Sequence, residues 1–133
     1  DMDLRKTFKT SKQKEIEGVW VNLDDSGAKL KIARAGNPNY KAAQQKKMAR
    51  YKLAARSKTI PDSAWDEIFN ELIAETILLD WDGITEKGQK VPYSQEAALQ
   101  ALSDLKDFRE IVMGFADDMT NFKDELDEGI EKN

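Results

Sequence analysis

The sequence contains no cysteine and no histidine among its 133 residues. The absence of cysteine excludes disulfide bonds and thiol nucleophiles, and the absence of histidine excludes the commonest general base. Together these absences remove the ligand sets that usually hold transition metals. No apolar run approaches the ~20 residues that a membrane-spanning helix needs, and no signal-peptide segment follows the basic first residues. We therefore expect a protein without a cofactor or membrane contact that acts in the cytoplasm.

The composition favours one compact domain. Hydrophobic residues make up 40% of the chain and charged residues 35%, which suffices for one modest core but not for two. The first residues are rich in lysine and arginine and poor in apolar groups. We predict a flexible basic arm over residues 1–14 and a single globular domain over residues 15–133.

A β-hairpin is predicted near the start of this domain. Residues 16–23 are rich in β-branched and aromatic side chains, residues 24–27 have turn composition, and residues 28–32 alternate between apolar and lysine side chains. Because the alternation leaves only one apolar face, we expect the hairpin to lie on helices.

Helical patterns follow the hairpin. The strongest covers residues 60–83, and a lysine-rich helix over residues 38–58 begins with Asn37 as the predicted N-cap. Ser94 should cap a short amphipathic helix, and Asp104 or Asp107 should cap the last one. The fold class predicted is therefore α+β, mainly α, with an N-terminal β-hairpin packed on a bundle of about four helices. The last helix is predicted to carry a heptad seam that packs on the helix of residues 60–83 or on another subunit, formed by Leu105, Phe108, Val112, Phe115, Met119, Phe122 and Leu126.

The charges are divided unevenly along the chain. Residues 1–58 hold 15 Lys and Arg against 6 Asp and Glu, a balance of +9, whereas residues 59–133 hold 6 against 19, a balance of −13. Such a division suits either nucleic-acid binding by the basic half or pairing of the basic face of one copy with the acidic face of another. We favour weak self-association, because the whole chain is acidic and a polyanion would repel it at long range.

Two loop patterns suggest chemistry but fail in detail. Residues 83–90 have the glycine spacing of a phosphate-binding loop, but the lysine comes one position late and Pro92 prevents the helix that should follow. Residues 80–85 begin like a calcium loop but lack its later ligands and its glycine. Asp80 and Asp82 are more typical of a solvated helix end than of an acid–base pair. We expect no enzyme.

Several short motifs occur together in an order that resembles a known family. They are Trp20 in the hairpin, Asn37-Pro38-x-Tyr40, the run from Leu79 to Ile84, Val91-Pro92-Tyr93-Ser94, and the final Glu131-Lys132-Asn133. This ordered set spans most of the chain and resembles the tail assembly chaperones of long-tailed, non-contractile bacteriophages.

The resemblance implies a non-enzymatic assembly factor that coats the tape measure protein and recruits tail tube subunits in the host cytoplasm, and that is absent from the mature virion. The alternatives are a structural head–tail or tail component, and a DNA-associated accessory protein that uses the basic helix of residues 38–58. The resemblance carries no catalytic residues. The candidate partner contacts are Trp20, Trp81, Asp82, Gly83, Pro92, Tyr93 and Ser94.

Overall fold

The computed structural model describes residues 1–57 and 60–124, without the side chains of residues 53–55 and 57. A three-stranded antiparallel sheet shares one core with four longer helices, so the predicted α+β class is confirmed. The elements are α1 (Leu4–Thr7), α2 (Lys12–Glu17), β1 (Val19–Asn22), β2 (Lys29–Ile32), α3 (Pro38–Ser57), α4 (Asp62–Thr76), β3 (Leu78–Asp82), β4 (Thr85–Glu86), β5 (Gln89–Lys90), α5 (Gln95–Asp104), α6 (Lys106–Asp117) and a 3₁₀ helix (Met119–Phe122).

The sheet contains one strand more than the predicted hairpin. β1 and β2 form that hairpin, and β3 pairs with the other edge of β2, so that Trp81 lies opposite Leu30. The predicted helix over residues 60–83 is therefore too long, because α4 ends at Thr76. The Thr76 hydroxyl donates a hydrogen bond to the Leu72 carbonyl, and Asn37 Nδ2 donates one to the Thr76 carbonyl. The bond from Asn37 satisfies one of the carbonyls that a helix end leaves without a partner, and the following residues extend along β2.

Asn37 caps the first long helix as predicted. Its Oδ1 accepts hydrogen bonds from the amides of Asn39 and Tyr40 at 2.9 and 3.1 Å. Because the same side chain also bonds the end of α4, this one buried asparagine fixes the start of α3 beside the end of α4. At the start of α4, Pro61 occupies the N-cap position and makes no side-chain capping bond.

The last predicted helix is divided into two elements. α6 ends at Asp117, and the Asp118 side chain accepts a hydrogen bond from Thr120 N, which starts the 3₁₀ helix. The predicted caps Asp104 and Asp107 do not bond the start of α6. Of the predicted heptad seam, Val112 and Phe122 are fully buried, Leu105 is 57% exposed, and Leu126 lies outside the described residues.

The seam residues of α6 were predicted to pack on α4. In the structure α5 contacts both α4 and α6, so most of the packing between α4 and α6 goes through α5. Arg109 makes the link between α4 and α6. Its Nη1 donates a hydrogen bond to Asn70 Oδ1 at 3.1 Å and lies 3.5 Å from Asp66 Oδ1, while its guanidinium stands over the Phe69 ring.

The N-terminal residues differ from the predicted flexible arm. They form α1 and α2, and Thr10 pairs with Lys123. Ser11 N donates a hydrogen bond to the Phe122 carbonyl and Lys14 Nζ donates one to the Lys123 carbonyl, both at 2.8 Å. These two bonds, which composition cannot predict, join the first residues to the carbonyls at the end of the 3₁₀ helix and just after it. α1 itself buries no residue.

Candidate functional site

The structure brings some of the seven predicted contact residues together, since Trp20, Trp81 and Asp82 line one pocket on the sheet and Tyr93 contacts Trp81. Trp20, Asp82, Gly83, Pro92 and Ser94 are exposed, whereas Trp81 is buried and Tyr93 is half-buried. Whether any of them contacts a partner stays a prediction.

Trp81, a candidate partner contact, has a structural role. It is 7% exposed, and its Nε1 donates a hydrogen bond to the Val91 carbonyl at 2.8 Å. Its ring meets that of Tyr93 edge to face, with centroids 5.3 Å apart. The Tyr93 hydroxyl donates a 2.7 Å hydrogen bond to the Leu78 carbonyl, and burial, with a smaller effect of the Asp80 charge, raises the pKa of Tyr93. The two aromatic rings thus fasten the segment before α5 to β3.

Local structure also explains why glycine stands at position 83 and serine at position 94. Gly83 has a φ of 73°, and a Cβ added there would lie 3.2 Å from Ala28 Cα, so the turn after β3 requires glycine. The Ser94 hydroxyl accepts a hydrogen bond from Ala97 N at 3.0 Å, which confirms the predicted cap of α5.

Trp20 is the predicted residue whose ring is free to meet a partner. It is 48% exposed on the outer face of the sheet. In the strand register Trp20 lies opposite Lys31, which in turn lies opposite Asp80. A second row on the same face contains Asn22, Lys29 and Asp82. This outer face, which we call the Trp20 surface, therefore offers one large aromatic ring beside two rows of oppositely charged side chains.

The edge of β1 is open next to Trp20. Leu23 N donates to the Ala28 carbonyl, and alternate residues of an antiparallel pair point their backbone groups to opposite sides. The N–H and C=O groups of Trp20 and Asn22 therefore point away from β2, and no other described residue bonds them. A groove runs along this edge, with walls formed by Ser11, Gln13, Lys14, Glu17, Asn121 and Asp124. An extended peptide could pair with such an edge.

The described part of the basic helix α3 divides into a buried and an exposed side. Lys47 is buried, with Nζ 2.8 Å from Glu75 Oε1 and 3.1 Å from Glu71 Oε2. Burial alone would lower its pKa, but the hydrogen bonds and charges of the two glutamates outweigh that effect and raise it. The exposed cations of α3 have no ion pair with a described residue, and they are Lys41, Lys46, Arg50, Lys52 and Arg56.

The predicted lysine-rich helix did not distinguish buried Lys47 from the exposed lysines, and its two glutamate partners were not predicted. The signal that could have found them is the pair Glu71 and Glu75, one turn apart on α4. Among the described residues, no helix is long and apolar enough to cross a membrane. Within the same part of the chain, no three carboxylates are grouped so that they could hold a metal ion.

The comparison with protein families matches residues 35–133 to the YdaY prophage protein family, which is more than half of the chain. The chain belongs to this prophage protein family. The YdaY match begins just after β2, so α1, α2, β1, which carries Trp20, and β2 lie outside the matched residues. No curated protein and no solved structure matches the chain significantly.

Proposed function

We propose that this prophage protein is a tail assembly chaperone of a long-tailed, non-contractile phage. It coats the tape measure protein and recruits tail tube subunits in the host cytoplasm, and it is not retained in the mature virion. Membership of a prophage protein family supports the phage origin, and the ordered motifs described above support the chaperone role.

The observation that carries the proposal is the exposed Trp20 ring on the open strand β1. Trp20 is about half exposed, so a partner that covers its large apolar ring would gain favourable burial free energy. Tryptophan is also enriched among the residues that dominate protein–protein binding. The free N–H and C=O groups of Trp20 and Asn22 add a second means of holding a protein chain. Both features suit a client that is a polypeptide.

Co-expression with the tape measure protein tests the proposal. We expect the two proteins to co-purify, and we expect Trp20→Ala to weaken that binding at least about tenfold, as hot-spot tryptophans do. Trp65→Ala is the matched control, because Trp65 is 41% exposed on α4, away from the sheet. Equal effects of the two substitutions would contradict a role of the Trp20 surface, and no co-purification of the wild-type chain would contradict the chaperone function.

The composition of purified virions separates the chaperone from a structural tail component. A chaperone is absent from intact particles, whereas a head–tail or tail component is present in a fixed number of copies. Detection of a stoichiometric amount in virions would overturn the proposal.

A DNA-associated role is the second candidate, because α3 exposes five cations that form no ion pair with any residue that the structure describes. Binding of this kind weakens steeply with salt, by about one power of the salt concentration for each phosphate contacted. Affinity for duplex DNA that persists near physiological salt and is lost in Lys46→Ala/Arg50→Ala would favour this candidate over the chaperone.

A further inference from the structure

The four longer helices form a row in which each contacts the next. α3 contacts α4, α4 contacts α5, and α5 contacts α6. α3 and α6 are therefore the two ends of the row, and each keeps one side that is exposed. These two sides carry opposite charges.

The exposed side of α3, which we call the basic end face, is mainly cationic around a small centre. Apart from the neighbours Met48 and Ala49, its residues follow one another at steps of three and four, so they lie on one side of the helix. Ala49 lies between the cations, and half-buried Met48 adds apolar surface. The basic end face consists of Lys41, Gln45, Met48, Ala49, Lys52 and Arg56.

The exposed side of α6, which we call the acidic end face, has the complementary composition. Ile111 is 47% exposed at its centre, where a soluble helix usually places a polar residue. Next to it, a Cβ added to Gly114 would meet no atom within 4 Å, so another helix can approach the backbone there. The carboxylates Asp107, Glu110 and Asp117 surround these two residues.

We infer that the basic end face of one copy docks on the acidic end face of a second copy of this chain. Lys41 and Lys52 are about 16 Å apart along their helix axis, and Asp107 and Asp117 are about 15 Å apart along theirs. Parallel helices can therefore pair Lys41 with Asp107 and Lys52 with Asp117.

The centres of the two faces also match. With the charges paired in this way, Ala49 lies about 12 Å along its axis from Lys41 and Gly114 about 10.5 Å from Asp107, so these two small residues come opposite each other. Met48 and Ile111 then lie within about 5 Å of each other along the axes. The small residues allow close approach of the helices, and the two larger apolar side chains cover each other.

The contact joins two different faces, so each copy keeps one free face of each kind. Such a contact closes into a ring or continues as an open helical chain. The inference does not depend on the proposed chaperone function, because it rests on the faces of α3 and α6 and not on the Trp20 surface.

Sedimentation of charge-reversed variants tests the inference. The wild-type chain should associate increasingly with concentration in about 0.02 M salt and dissociate in about 0.5 M salt, where charges are screened over a few ångströms. Lys52→Glu/Arg56→Glu and Asp107→Lys/Glu110→Lys should each weaken association at least about tenfold, since every reversal turns an attraction into a repulsion. Mixing the two variants should restore association, because each then offers the face that the other lacks. Lys29→Glu/Lys31→Glu, on the outer face of the sheet, changes the charge equally and should leave association unchanged.

Disulfide trapping gives a second readout, since the chain has no cysteine of its own. Ala49→Cys/Gly114→Cys should form a ladder of linked dimers and larger species under mild oxidation, whereas Ala49→Cys/Ser63→Cys should not. A wild-type chain that stays monomeric at high concentration in low salt would overturn the inference. So would reversed variants that fail to associate when mixed although each is folded by circular dichroism, or cross-linking that is equal in the two cysteine pairs.

Discussion

Lys47→Met should destabilise the protein by removing a buried charge that joins two helices. Lys47 is 7% exposed on α3, and its ammonium group bonds Glu71 and Glu75 of α4 at 3.1 and 2.8 Å. Methionine keeps most of the apolar stem but has no charge and no donor. The substitution therefore measures the ion pairs with little change in packing.

The expected loss is about 1–2 kcal/mol of unfolding free energy. A fully buried pair that loses one partner costs ~3–5 kcal/mol, because the other charge remains buried and unpaired. Here the side chains of Glu71 and Glu75 are 31% and 33% exposed, so water solvates both carboxylates once the lysine is gone. Two partly exposed ion pairs that contribute up to ~1 kcal/mol each therefore give a loss of about 1–2 kcal/mol instead of ~3–5 kcal/mol. Lys47→Ala also removes stem burial and should cost about 1–2 kcal/mol more.

Urea denaturation followed by circular dichroism measures the effect. Lys46→Met is the matched control, because Lys46 is exposed on the same helix turn and has no ion pair with a described residue. Its free energy should stay within about 0.5 kcal/mol of the wild type. If Lys47→Met loses no more than Lys46→Met, the ion pairs do not stabilise the packing of α3 on α4.

The pH dependence of the same difference gives an independent check. The folded-state pKa of Lys47 is raised above its value in the unfolded chain. The stabilisation is therefore fully present below the unfolded value of about 10.4 and is lost as the pH rises through the higher folded value. The stabilities of wild type and Lys47→Met should converge above that value, and a difference that stays constant through pH 11 would contradict the assignment.

Three substitutions and two truncations further test the core and the N-terminus by thermal and urea unfolding. Trp81→Phe leaves the Val91 carbonyl without its donor and should cost about 1–3 kcal/mol, and a smaller loss would show that water replaces the bond. Phe122→Ala should cost about 3–5 kcal/mol and Phe115→Ala clearly less, because Phe122 is fully buried and Phe115 only partly, so the reverse order would contradict the described core. Deletion of residues 1–8 should hardly change the melting temperature. Deletion of residues 1–14 removes the bonds from Ser11 and Lys14 to the carbonyls of Phe122 and Lys123 and should lower it, and equal effects of the two deletions would show that those bonds contribute nothing.

Local signals in the sequence predicted local structure well. Asn37 and Ser94 both cap their helices as expected, because a cap depends on residues within a few positions along the chain. The hairpin of β1 and β2 likewise follows from alternation and a turn between neighbouring segments. These features need no knowledge of the rest of the fold.

The predictions that were wrong concern features that depend on contacts between distant parts of the chain. Residues 77–79 continue the apolar pattern of α4, so periodicity alone extends the helix through them. The unpaired edge of β2 takes these residues instead, since pairing satisfies the backbone groups of both strands. In the same way, the seam residues after Asp117 follow a heptad spacing, but the 3₁₀ helix is bonded to Ser11, more than 100 positions earlier.

The two tryptophans proposed as partner contacts differ in a way that strand alternation explains. Asp80, Trp81 and Asp82 alternate polar, apolar and polar, so a strand over them turns Trp81 inward and both carboxylates outward. In β1 the alternating residues that take the inward side are Val19 and Val21, which leaves Trp20 outward. Once residue 81 is placed in a strand, the sequence itself distinguishes the buried ring from the exposed one. A substitution at Trp81 therefore disturbs folding, whereas one at Trp20 removes exposed surface with little loss of packing, and only Trp20 can separate binding of a partner from stability of the fold.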